Sequence, residues 1–381
     1  ESRDGIHWEK PLMDHVRYKG ERTNIVLLSH GTSALCSPAV VRDDNEKDPS
    51  KKYKMLYWDS MSKDGLKSAG PNFPLGTAVP GWRPIPGEGF FIAYSPDGLR
   101  WTNASEQPVF TCACDASSLN KSPDGTYRAY FKISVAPDRH FRILGESSSR
   151  DFIHWTEPAV FLAPDWNDAY GTEFYGMSYV PYFGNNIGLI WVYYNAPNDK
   201  HVDLQLAQQS DDGLWHRAAD RQVLMQKGGI GAWDGGGTYP ASDILIAPSG
   251  HSDEMWLYYG GTTVFHDDSR FRETSIGLAR FRIDGFTAMR SGQFAGWFET
   301  TTVTPTGTTM YVNADCIHGS LQIELLDPST RKVLGSSIAI KGENRTKIPV
   351  KWGTGDELKK GSPVVLRFLM QRCDVYSFWY E

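Results

Sequence analysis

Helix signals are scarce in this chain of 381 residues. No long stretch repeats apolar residues at three-, four- and seven-residue spacing behind a capping residue, so strands and turns are left to build the fold. No apolar run reaches the length of a membrane span, and membrane insertion is not expected. Charge of one sign is never gathered into a block, and 39 basic residues stand against 45 acidic ones. A nucleic-acid surface needs clustered Lys and Arg to replace counterions, so nucleic acid is excluded as a partner. Cysteine is sparse: Cys36, Cys112, Cys114, Cys316 and Cys373. Their spacing makes no zinc site, because Cys112-Ala-Cys114 has no second pair. No Ser-His-Asp elbow, phosphate-cradling loop or HExxH helix is present either.

Aromatics and glycine are plentiful, with Trp 13, Tyr 18, Phe 18 and Gly 37. That mixture suits a β-rich protein with many tight turns and stacking surfaces for a flat ligand. A phrase also recurs. The chain opens ESRDGIHWEKP, and near-copies follow as SPDGLRWTNA from Ser95, SRDFIHWTEP from Ser149 and SDDGLWHRAA from Ser210, with a weaker RIDGFTAMRS from Arg282. Asp-Gly supplies a turn in which Gly is free to take positive φ, and the Trp packs against a neighbour.

Three strand-like stretches precede each internal copy. The third is GFFIAYS at 89–95, FRILGESSS at 141–149, VDLQLAQQS at 202–210 or SIGLARF at 275–281. The second is YKMLYWDS at 53–60, YRAYFKIS at 127–134, IGLIWVYYN at 187–195 or EMWLYYGG at 254–261. The first is ALCSPAVVRDD, CDASSLNKS, TEFYGMSYVPY or TYPASDILIAP. With the phrase read as a fourth strand, each unit is a β-propeller blade. Lys63 to Glu88 is a Gly- and Pro-rich insertion of the kind that shapes binding sites. From about Ser291 the phrase disappears and alternating strands suggest a β-sandwich. The expected organisation is a propeller over 1–290 and a sandwich over 291–381.

Together the S-x-DG-x-x-W phrases, the Gly277–Phe286 junction (GLARFRIDGF) and the ending Leu366-Arg367-Phe368 … Tyr376-Ser377-Phe378 carry a likeness over nearly the whole chain. It resembles proteins related to the glycoside hydrolase family 32 and 43 superfamily, built as a five-bladed propeller followed by a β-sandwich. The resemblance implies that the opening phrase closes a blade whose inner strands precede it. The first blade is therefore expected to be incomplete and the chain to be truncated at its N-terminus.

The resemblance also implies three carboxylates at a central funnel, on the innermost strands of successive blades. Two carboxylates flank a scissile glycosidic bond because protonating the leaving oxygen and supporting the anomeric carbon are opposite tasks. Asp115, Glu173 and Asp234 occupy matching places at the heads of three consecutive modules and are the catalytic candidates, Glu173 as general acid. Tyr175, Trp233, Arg142, His140, Asp168 and His266 are the candidate substrate contacts. Trp58 and Trp82 are weaker ones, better explained by packing. Asp165 and Asp168 could reach the funnel or bind a cation but are better explained as loop caps, and the His266-Asp267-Asp268 loop could touch substrate or structural calcium but is better explained as a solvated turn. No other cofactor or metal is expected. The chain lacks W-x-N-D-P-N-G, R-D-P and E-C, the marks of the fructan-cleaving branch. Two readings follow: a glycoside hydrolase acting on an oligo- or polysaccharide, or a propeller that binds carbohydrate or a partner without catalysis. Sialidase-like chemistry is a third, but its arginine cluster and Tyr–Glu pair are not assembled by the sequence. Sequons at Asn103-Ala-Ser and Asn344-Arg-Thr, with Cys316 and Cys373 able to pair, predict a secreted glycoprotein.

Overall fold

The computed structural model describes all residues except 32–34, 70–86, 112–115, 136–140, 198 and 269–272. The fold is all-β. It comprises two compact units: Glu1–Asp243 with Tyr258–Gly277, and Ile244–Leu257 with Leu278–Glu381.

The first unit begins with a hairpin of β1 (Met13–Tyr18) and β2 (Glu21–Thr23). Sequence-consecutive antiparallel sheets of the propeller follow. The first has the order β3 (Cys36–Arg42), β4 (Tyr53–Ser60), β5 (Glu88–Ser95), β6 (Thr102–Asn103). The second runs β7 (Ser117–Lys121), β8 (Tyr127–Val135), β9 (Phe141–Ser149), β10 (Ala159–Leu162). The third runs β11 (Thr172–Tyr182), β12 (Asn185–Ala196), β13 (Asp199–Gln209), β14 (Trp215–Arg217), with β15 (Val223–Met225) also on β13. In the fourth module the stretch expected as one strand is two, β16 (Gly237–Pro240) and β17 (Leu245–Ile246), both paired with β18 (Glu254–Thr262); β19 (Thr274–Arg282) pairs β18 as well. The insertion after β4 opens with a short helix, Lys63–Ala69.

The innermost strands meet through side-chain hydroxyls. Ser117 donates to the Ser37 carbonyl at 2.9 Å, Ser118 to Met177 at 2.7 Å, and Ser178 to Ala241 at 2.6 Å. These strands stand at the edges of their sheets, and the hydroxyls join one edge to the next. The opening phrase lies against the fourth module, where Tyr258 donates to the Gly5 carbonyl at 2.6 Å and Trp8 meets its ring edge-on. His15 on β1 reaches the Trp101 carbonyl of the first module at 3.0 Å.

The recurring phrase is a turn; it is not itself the fourth strand. In the copies at Ser2, Ser95 and Ser149, the Ser hydroxyl donates to the Asp carboxylate at 3.1 Å. The Asp then accepts the backbone N–H groups two and three residues on, at 2.8–2.9 Å. The Trp indole closes onto the carbonyl three residues earlier. With backbone N–H groups bound to the Asp, the phrase turns the chain; pairing resumes at the Trp itself in the Ser149 and Ser210 copies, where Trp155 bridges Ser149 and Trp215 pairs Gln209, and at Thr102 in the Ser95 copy. The Gly position is left-handed in three of the closer copies, with φ of 74° at Gly5, 78° at Gly98 and 86° at Gly213, while in the weaker copy Asp284, at φ 59°, takes the left-handed place. Phe152 adopts φ 67° in the same place and is fully buried, so its ring burial offsets the backbone cost. The Ser210 copy is one residue shorter before Trp215; its Asp212 accepts from the Ser210 hydroxyl at 2.6 Å and the Leu214 N–H at 3.0 Å.

The second unit is a sandwich. One sheet has the order β20 (Met289–Ser291), β29 (Cys373–Tyr380), β22 (Met310–Asp315), β26 (Asn344–Pro349). The other runs β21 (Gly296–Glu299), β28 (Val365–Gln371), β23 (Ser320–Leu326), β24 (Val333–Ser337), β27 (Trp352–Gly355), with β25 (Ile340–Lys341) on β23. Alternate residues such as Met310, Val312, Leu321, Ile323, Leu366 and Phe368 fill the space between them. Cys316 and Cys373 are disulfide-bonded in this core, as expected.

Two outcomes follow. The bond closes a segment of 57 residues, so replacing both cysteines with serine lowers stability by about 4 kcal/mol in a denaturant titration. The backbone N–H groups of Arg100 and Leu99 hold Asp97 well below the usual carboxylate range, and the His154 side chain does most to lower Asp151. A carboxyl group lowered on folding stabilises the fold fully above its unfolded value and loses that contribution as pH falls. The unfolding midpoint therefore declines below about pH 4, and Asp97→Asn flattens part of that decline.

Candidate functional site

Glu173 is the second residue of β11, opposite Tyr193 on β12. It is fully buried, and both of its oxygens are occupied. Oε2 accepts from the Arg142 guanidinium at 2.7 Å and from the Arg142 backbone N–H at 3.2 Å. Oε1 accepts from the Asn195 side-chain amide at 2.8 Å. Arg142 comes from β9 of the preceding module and lies over the rings of Tyr193 and Tyr175, at 4.9 and 5.3 Å from their centroids. Burial works to lower the Arg142 pKa, but the Glu173 hydrogen bond and charge outweigh it and leave the pKa raised. Burial pushes the Tyr193 hydroxyl well above its ordinary value.

Tyr175 owes its position to a bulge. The β11–β12 register runs from Phe174↔Val192 directly to Gly176↔Trp191, so Tyr175 is the extra residue. Gly176 permits this, because a Cβ there would lie 2.7 Å from the Trp191 ring. An unpaired bulge residue is re-aimed, as is common beside functional sites. The Tyr175 hydroxyl meets His266 Nε2 at 2.9 Å, the Lys132 ammonium lies 4.4 Å from its ring centroid, and the Tyr239 ring is 6.0 Å away. Arg142 Nε and the Tyr193 hydroxyl are buried without a hydrogen-bond partner. Buried polar atoms left in this way mark a place for an outside oxygen or nitrogen.

Four of the expected site residues thus converge: Glu173, Tyr175, Arg142 and His266. Asp234 and Trp233 form a separate group. The Tyr259 hydroxyl donates to Asp234 at 3.0 Å, and Trp233 stacks on the Tyr259 ring at 5.5 Å. Burial, then the Asp234 hydrogen bond, push Tyr259 up to about 12. Asp168 is buried in an ion-pair group with Arg217 and with Arg221 at 3.1 Å, and Asp165 joins it through Arg221 at 2.6 Å. Trp58 is half-buried against the core of its module. Asp115, His140 and Trp82 lie outside the described residues. Among the described residues, no three His, Cys, Asp or Glu side chains are grouped to hold a metal ion. Of the sequons, Asn103 sits in β6 with its amide oxygen bonded by Tyr57 at 2.9 Å, and Asn344 is exposed at the start of β26.

Asn195, Tyr193 and Lys132 were not among the expected contacts, and Asp267 was named only as part of the His266-Asp267-Asp268 loop. A signal for Asn195 existed: Tyr193-Tyr194-Asn195 ends its strand as Tyr57-Trp58-Asp59 ends β4. Asp59 is also fully buried, and accepts from Ser29 Oγ at 2.5 Å, His30 N at 2.8 Å and Ser60 N at 2.7 Å. Burial opposes its ionisation, yet these bonds, led by the His30 side chain, leave its pKa lowered. The strand position after the two aromatics thus clasps a neighbouring segment in both modules.

Glu173→Ala leaves Arg142 buried without its carboxylate and costs about 3–5 kcal/mol in a denaturant titration. Glu173→Gln keeps an acceptor oxygen and costs less.

No family model matches the chain, and no curated protein matches it. Among solved structures, it is similar to a glycoside hydrolase family 43 arabinoxylan arabinofuranohydrolase from Bacillus subtilis, at 12% identity and a TM-score of 0.40, over 92% of this chain and 80% of that one. It is similar to an exo-inulinase from Aspergillus awamori at 11% identity and a TM-score of 0.38, over 95% and 87%. A Bombyx mori family 32 β-fructofuranosidase is similar at 10% identity and a TM-score of 0.38, over 86% and 76%.

Proposed function

We propose that this protein is a secreted glycoside hydrolase that takes an oligo- or polysaccharide at the cluster of Glu173, Arg142, Tyr175, Tyr193 and His266. The observation that carries this reading is a cluster of polar and aromatic side chains holding donors that no protein group satisfies. Arg142 Nε and the Tyr193 hydroxyl are buried donors with nothing to bind, beside a bulge that re-aims Tyr175. Sugar hydroxyls satisfy such donors, and aromatic faces suit the apolar side of a pyranose or furanose ring. Glu173 and its Arg142 partner set the position of the site. Asp115 and Asp234, at the heads of the flanking modules, are the further carboxylates that this reading assigns to glycosidic cleavage.

One observation favours the second reading, a propeller that binds carbohydrate without cleaving it. Glu173 is buried with both oxygens taken, and Asp234 is bonded to Tyr259, so neither carboxylate is presented free. A screen of aryl glycosides, with calorimetry on a panel of oligosaccharides, separates the two. The hydrolase reading expects turnover of at least one glycoside, and loss of about 100-fold or more in Asp115→Asn or Asp234→Asn. Binding without turnover selects the second reading. Neither binding nor turnover across the panel overturns both.

A further inference from the structure

Tyr175, His266 and Asp267 form a chain of hydrogen bonds. The Tyr175 hydroxyl meets His266 Nε2 at 2.9 Å, and His266 Nδ1 faces the Asp267 carboxylate. Asp267 in turn accepts from the Lys200 ammonium at 2.6 Å, and the His266 backbone N–H donates to the Lys200 carbonyl at 3.0 Å. A carboxylate can only accept, so Nδ1 carries a proton, and in the neutral imidazole Nε2 then offers its lone pair to the phenol. The order carboxylate, imidazole, hydroxyl is the arrangement that activates a weak nucleophile in acyl-transfer triads. Two cations flank the Tyr175 ring. The Lys132 ammonium and the Arg142 guanidinium lie 4.4 and 5.3 Å from the Tyr175 ring centroid. Tyr193 and Tyr239 supply uncharged walls at 5.9 and 6.0 Å. Glu173, the nearest carboxylate on the same strand, is neutralised by its bond to Arg142.

We infer that Tyr175 is the nucleophile of this site, with His266 as its proton acceptor and Asp267 as the residue that positions His266. The inference rests on the hydrolase reading for its substrate, but the reactivity of Tyr175 belongs to the protein alone. In the first half-reaction, a lone pair of Tyr175 Oη forms a bond to the anomeric carbon. The bond from that carbon to the leaving oxygen breaks with its electron pair, the phenolic proton passes to His266 Nε2, and the leaving oxygen takes a proton from water. In the second, a water oxygen bonds to the anomeric carbon and the bond to Oη breaks. Tyr175 recovers its proton from His266, and the surplus proton of the attacking water returns to solvent. This assignment frees Glu173 from the role of general acid, which its occupied oxygens do not suit.

An arylsulfonyl fluoride tests the inference without a substrate. Its reaction forms an Oη–S bond, breaks S–F, releases fluoride and passes the phenolic proton to His266. Labelling of the intact protein at neutral pH, mapped by peptide mass, is expected at Tyr175 at least about 10-fold faster than at Tyr170. Tyr170 is 91% exposed and serves as an internal reference. His266→Ala reduces labelling of Tyr175 to the reference rate, and added imidazole restores the rate without restoring thermal stability. Asp267→Asn slows it several-fold. A wild-type Tyr175 labelled no faster than Tyr170 overturns the inference, whatever the variants do. Fast labelling of Tyr175 together with no turnover of any glycoside keeps the nucleophile and removes the hydrolase reading.

Discussion

The innermost strands of the first unit have an edge that no ladder partner covers, and much of the structure follows from how that edge is satisfied. A strand at the end of a sheet exposes alternating N–H and C=O groups that must be paired or hydrated. Here Ser117, Ser118 and Ser178 turn their hydroxyls onto carbonyls of the adjoining innermost strands. The side chains doing this are small, so the strand backbones come close. The heads of β7 and β11 are thereby held near side chains from adjoining modules, and this is where Glu173, Arg142 and Tyr175 meet.

At the other end of each module, the same demand is met by the recurring phrase. A carboxylate that takes two backbone N–H groups replaces the ladder bonds lost as the chain turns, and the indole returns a bond to the carbonyl behind it. Phe152 shows how little of the phrase is needed. It adopts a left-handed φ without being glycine, because its ring is buried among Tyr94, Tyr127 and Trp155. The opening copy is put to a further use, resting on Tyr258 while the strand after it reaches Trp101. The phrase contributes packing and turns, and it keeps clear of the cluster at the strand heads.

That cluster is built by opposing demands on one strand. Glu173 is drawn inward and neutralised, while the next residue but one is turned by a bulge towards His266. Plain alternation puts Glu173 and Tyr175 on one face. The bulge gives them different partners, a guanidinium for the first and an imidazole for the second. Gly176 beside an aromatic strand was the one local sign of it, since a glycine inside a strand often marks a bulge or a close approach.

The strands of the four modules, the turn chemistry of the phrase and the change to a sandwich were legible because each depends on neighbours in sequence: alternating apolar residues, Asp and Gly at turns, aromatic strand centres. Glu173 and Tyr175 were legible as candidates because they stand at the head of a strand whose place in its module could be counted. Their partners were not. Arg142 lies 31 residues before Glu173, and His266 lies 91 after Tyr175, so only the packing of one module on the next brings them together. Asp168 and Asp234 instead found partners within their own modules, Arg217 on β14 and Tyr259 on β18. Strand positions come from local periodicity and turn residues. Which buried charge finds which partner is a matter of distances across the strands of a module and between modules, and no local pattern encodes those.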